Sequence, residues 1–63
     1  MVRFYVNTGK MLQRCRQALE AGVPVMMHGL TEEGDRKIFT GLILSVEETG
    51  SNPKMRWRVT MRS

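Results

Sequence analysis

Across the last ten residues, Lys54 to Ser63, apolar and polar positions alternate without a break. Met55, Trp57, Val59 and Met61 fall on one side and Lys54, Arg56, Arg58, Thr60 and Arg62 on the other. A period of two predicts a strand with one face for a core and one for solvent. Val2-Arg3-Phe4-Tyr5-Val6 shows the same alternation near the N-terminus and predicts a short first strand. The period then changes. Met11, Leu12, Cys15, Ala18 and Leu19 recur at helical spacing among Lys10, Gln13, Arg14, Arg16, Gln17 and Glu20, which predicts a short amphipathic helix. Asn7 or Thr8 supplies its N-cap and Gly22 its left-handed C-terminal stop.

Pro24 has no amide to give a ladder, so the next strand begins near Val23 or Val25 and runs to Leu30. Both faces of Val25-Met26-Met27-His28 are partly apolar, as expected of a strand covered on both sides or by a partner chain. Thr31 to Asp35 forms a polar hairpin loop. Arg36 to Glu47 forms the longest strand, with Ile38, Thr40, Leu42, Leu44 and Val46 on one face and Phe39, Gly41, Ile43, Ser45 and Glu47 on the other. A glycine within such a strand marks a bulge, a sharp bend or a close backbone approach. Glu48 to Pro53 is a turn segment that leads into the closing strand. The expected fold class is α+β, in the order β-α-β-β-β: a small, strongly bent antiparallel sheet curling toward a barrel, with one helix packed on it. Residues 1–63 form a single small domain with no repeats or linkers.

Sixty-three residues lie near the lower limit at which a chain buries enough apolar surface to fold without a disulfide or metal. Self-association into a dimer or ring is therefore expected. The single cysteine, Cys15, excludes an intrachain disulfide and a cysteine-based zinc cage within one chain, which fits a reducing cytoplasm. The apolar runs are too short for a membrane span, and the first residues do not read as a secretory leader.

The formal charge of +4 matters less than its distribution. Arg3, Lys10, Arg14 and Arg16 precede every acid, and Lys54, Arg56, Arg58 and Arg62 follow the last one. If the fold joins the ends, one surface becomes strongly positive. The cations of the closing strand repeat at roughly 6.6 Å or a multiple of it, close to the phosphate spacing of an extended nucleic-acid strand. Lys54, Arg56, Arg58 and Arg62, with Arg3 and Lys10 at the margin, are thus the candidate nucleic-acid-binding residues, for RNA or DNA backbone. Tyr5 beside Arg3 offers a stacking platform. The plainer reading is a solvated face whose charges guard a sheet edge, some of them paired with Glu47 or Ser45 across the hairpin.

No other residue type adds chemistry. His28 has no acid, cysteine or histidine at ligand spacing and reads as structural. Cys15 lies on the apolar helix face, with Arg14 and Arg16 turned away from it. Met11, Met55 and Met61 occupy expected core positions, and Met26 and Met27 point to opposite faces, so the six methionines assemble no copper site. Asn7-Thr8-Gly9-Lys10 is a capped helix start without the full phosphate-loop pattern. No catalytic residue, metal site, cofactor or small-molecule substrate is implied. The expectation is a non-enzymatic basic binding module, with a self-associating protein-interaction or assembly module as the alternative.

A short helix followed by Gly22-Val23-Pro24-Val25, a polar loop and Phe39-Thr40-Gly41-Leu42-Ile43-Leu44-Ser45-Val46 resembles the opening half of Sm-like small β-barrels. In that family a helix precedes a bent five-stranded sheet, a strand glycine allows the bend, and subunits form rings that bind RNA. The resemblance covers residues 11–47. After Val46 there is one strand where the family has three, a strand precedes the helix, and the second RNA-contacting motif has no counterpart, so the resemblance assigns no binding residue.

Overall fold

A computed structural model describes residues 1–50 and 52–63 as four antiparallel strands and one helix. In chain order these are β1 (Val2–Val6), α1 (Gly9–Ala21), β2 (Val25–Leu30), β3 (Arg36–Glu48) and β4 (Trp57–Arg62). The α+β order β-α-β-β-β follows from the alternations and the one helical stretch. The strands close into a ring, β1-β2-β3-β4. Within the expected turn segment Glu48–Pro53, Ser51 lies outside the described residues.

Two glycines let so short a chain curl. Phe4, fully buried, lays its ring over Gly29, where a Cβ would collide with it, and stacks on Phe39 with ring centroids 4.5 Å apart. A side chain at Gly29 would hold β1 away from β2. Gly41 has φ 154°, and a Cβ there would run into the carbonyl oxygen of Arg62. The end of β4 therefore crosses β3 at backbone contact, which only glycine permits. The β1–β2 seam closes through one pair, Tyr5 with Leu30, whereas β1 and β4 pair at five positions from Val2–Met61 to Val6–Trp57.

The two faces of β3 differ from the expected alternation. The register with β4 slips between Ile43 and Ser45, so Leu44 is an extra residue and the inward set changes phase there. Phe39 and Ile43 face the core before the bulge, and Val46, paired with buried Val59, faces it after. Ile38 is 58% exposed and Leu44 lies on the surface, so of the expected face Ile38-Thr40-Leu42-Leu44-Val46 only Val46 packs on the core. The expected closing strand also shortens at its start. Asn52 Oδ1 accepts from Lys54 N at 2.9 Å, Met55 N donates to Asn52 O at 2.9 Å, and Thr49 N donates to Arg56 O at 2.8 Å. That hydrogen-bonded turn holds Lys54 and Met55 out of the ladder.

Helix α1 is set at both ends. Thr8, extended at φ −124°, accepts from Met11 N through its hydroxyl at 3.2 Å, and Gly22 takes the left-handed C-cap at φ 69°. Its buried residues Leu12, Cys15 and Ala18 join Val6, Met27, Trp57, Val59 and Met61 in the core. No helix among the described residues is long and apolar enough to cross a membrane.

Candidate nucleic-acid interface

Residues directly opposite in an antiparallel ladder share a face. Phe4 and Val6 point inward on β1, and Trp57, Val59 and Met61 point inward on β4, so Arg3 and Tyr5 stand outside with Arg58, Thr60 and Arg62. Arg3 pairs with Thr60 and lies diagonally between Arg58 and Arg62. Such diagonal neighbours are roughly 7–8 Å apart, while Arg58 and Arg62 are separated by about 13 Å along the strand. The fold thus joins the two basic ends of the chain, and Arg3 becomes the middle of the cluster instead of its margin.

The four expected cations of the closing segment do not share one environment. Arg62 and Arg3 are exposed. Arg58 is half-buried and faces Glu47 across the β3–β4 ladder, with Nη2 3.6 Å from Oε2, the only ion pair among the described residues. That separation exceeds hydrogen-bond range, and the Nε of Arg58 is enclosed without an acceptor. A pair of this kind is worth roughly 0.2–1 kcal/mol, so it ties Arg58 to Glu47 only weakly. Arg56 lies before β4 with its guanidinium 4.6 Å from the Trp57 ring, and it borders a surface hollow with Glu48. Lys54, in the turn, lines another hollow with Glu32 and Glu33. Lys10 sits in the first turn of α1, exposed and outside the strand ladder.

Beside this face lies a cleft of about 340 Å³, lined by Tyr5, Asn7, Met11, His28, Gly29, Leu30 and Arg36. It opens where β1 leaves β2 for the helix, just past their single pair. Tyr5 is half-buried here rather than freely displayed, and His28 lies exposed on the outer face of β2. The ladder sets Arg36, Leu30, Tyr5 and Arg58 in one row across four adjoining strands. Arg36 and His28 carry no sequence signal for this neighbourhood, because only ring closure brings β2 and the start of β3 beside β1.

The remaining candidate chemistry stays quiet. Cys15 is fully buried, with Sγ 3.4 Å from Met27 Sδ. Burial pushes its thiol up to about 11 from an ordinary 9.0, against a weaker opposing pull from Arg14. Such a thiol is a poor nucleophile at neutral pH. Among the described residues no three His, Cys, Asp or Glu side chains gather as a metal site. No protein-family model, curated protein or solved structure matches the chain.

Proposed function

We propose that this chain is a non-enzymatic nucleic-acid-binding module that contacts backbone phosphates through Arg3, Arg58 and Arg62, with Arg56 near one end of the track. The observation that carries this reading is the β1–β4 register, which sets Arg3 opposite Thr60 and between two arginines of β4. Three cations on neighbouring ladder positions repel one another, and one Glu47 offsets only part of that. An anionic backbone relieves the repulsion and releases its counterions. Arginine also suits phosphate through its planar fork of donors.

Titration of labelled single- and double-stranded oligonucleotides at two salt concentrations tests the reading. Affinity falls steeply with salt, with little sequence preference. Replacing both Arg3 and Arg62 by alanine lowers the slope of log K against log salt by about 1.4 for a single strand, from roughly 0.7 per phosphate contact. Arg16→Ala, which removes an exposed helical charge, is the control. Absence of binding at low salt, or equal losses in the cluster and control variants, removes the proposal.

A second reading concerns the outer face of β2 and β3, where Ile38 is paired with His28. Met26 is 65% exposed and Ile38 58%, and they are diagonal neighbours on the outer face of β2 and β3. We propose this apolar patch as the contact between two copies, which would bury surface that a small core leaves uncovered. Light scattering after size exclusion tests it: Met26→Glu with Ile38→Glu shifts a dimer to monomer, and a wild-type monomer at high concentration rules it out.

A further inference from the structure

We infer that the cleft between β1 and β2 receives one unpaired nucleobase of a bound strand, with the phosphates on either side directed to Arg58 and Arg36. The inference rests on the reading of the β1–β4 face as a phosphate track and adds the part of the ligand that phosphates do not supply.

Three features of the cleft point to a flat heteroaromatic ring. Its volume, about 340 Å³, lies near the lower end of small-ligand pockets, roughly 300–1,000 Å³. An extended peptide, at roughly 3.3 Å per residue, needs a longer groove to make several ladder bonds. The walls combine a Tyr5 ring and the apolar Met11 and Leu30 with the amide of Asn7 and the imidazole of His28. A ring face stacks on the former while its edge takes donors and acceptors from the latter, the usual division for an unstacked base. Finally, of the three β2 residues that line the cleft only Leu30 pairs with β1, so the open stretch of strand edge there is short, at His28 and Gly29.

Charge placement favours a base within a polymer. In the outer row Arg36, Leu30, Tyr5 and Arg58, an arginine stands on each side of the cleft's aromatic wall. Arg58 belongs as well to the cluster with Arg3 and Arg62, so a strand leaving the cleft runs onto the phosphate track. A free mononucleotide has only one phosphate end and leaves one side unused.

Anisotropy titrations of the intact chain with a short single-stranded oligonucleotide, an abasic oligonucleotide of equal length, and adenosine monophosphate as competitor test the inference. The natural strand binds at least about fivefold more tightly than the abasic one, the lower limit for one stacked base. Tyr5→Leu reduces that preference to near unity and Tyr5→Phe keeps it. His28→Ala, on the exposed wall, lowers it without touching the core and serves where Tyr5→Leu disturbs folding, as read from Trp57 emission. Equal binding of natural and abasic strands, both weakened by the Arg3 and Arg62 variants, overturns the base site and leaves the phosphate track standing. Binding of neither strand overturns both. A mononucleotide that binds more tightly than the oligonucleotide overturns the inference by assigning the cleft to a free nucleotide.

Discussion

Replacing Gly41 by alanine should destabilise the protein more than a methyl group added at any glycine whose surroundings are open. At φ 154° an L-residue is strained by about 1–3 kcal/mol. The new methyl would also run into the Arg62 carbonyl oxygen, and it would sit 2.9 Å from that carbonyl carbon and 3.0 Å from Met61 Cγ. Met61 Cγ lies near the base of a fully buried side chain and has little room to turn away. The carbonyl cannot move freely, because Met61 is paired with Val2 on one side and Ile43 on the other. Overpacking of this kind adds about 1–3 kcal/mol, for a total of about 2–6. A 63-residue chain has about 3–9 kcal/mol of stability in all, so the substitution consumes a large share of it. Urea unfolding followed by the fluorescence of Trp57, the sole tryptophan, reads the loss as a fall of about 2 M or more in midpoint, at roughly 1 kcal/mol per M. Gly9→Ala is the counterpart: nothing lies within 4 Å of its Cβ position and it occupies the first helical turn, so it is neutral or stabilising by up to about 1 kcal/mol. A Gly41→Ala loss below about 1 kcal/mol would refute the close backbone crossing, and with it the placement of Arg62.

Glu47→Gln releases Arg58 from its only ionic partner and should raise affinity for a single strand by up to about fivefold, with a steeper salt dependence; unchanged affinity would show that Arg58 lies outside the contact. Thr8→Ala removes the hydroxyl that accepts from Met11 N and should cost about 1 kcal/mol in the same urea assay, whereas Thr8→Ser should cost little. Cys15 holds its proton in the folded state up to about 11 but only to 9.0 when ordinary, so between these values the unfolded chain carries fewer protons. Stability is accordingly full below pH 9 and declines as pH rises toward 11; a flat profile in a comparison with Cys15→Ala would contradict the burial of the thiol.

The alternations of β1 and β4, the helix with its Thr8 and Gly22 ends, and the opposite facing of Met26 and Met27 were legible because each depends on a period within a few residues. The phase change of β3 was not. Leu44 sits between Ile43 and Ser45 in an apolar run that reads equally well in either phase, and only pairing with β4 decides which side faces inward. The start of β4 misled for a related reason: Lys54 and Met55 fit the alternation, but Asn52 draws their amides into a turn. The arginine cluster was half legible. Arg58 and Arg62 follow from local spacing, while Arg3 joins them only through a contact between opposite ends of the chain.

Ring closure also changes what the arginines of β4 have to explain. On an edge strand, exposed cations guard unpaired peptide groups against pairing with another chain. Here β4 is paired with β1 along one side and β3 along the other, so its edges need no such guard. Exposure alone asks only for polarity, which Ser45 and Thr60 provide on the same face without charge. Repeated cations at Arg3, Arg58 and Arg62 with one acid among them are therefore more than solvation requires. The one seam left largely unpaired, between β1 and β2, is where Tyr5, His28 and Arg36 gather. If that seam served only as a weak point in closure, parting it would cost stability without changing which strand is preferred. Gly29→Ala tests this from inside the barrel: its methyl would displace the Phe4 ring and part β1 from β2. The variant should then lose the preference for natural over abasic strands before it loses the salt-dependent binding of the arginine track.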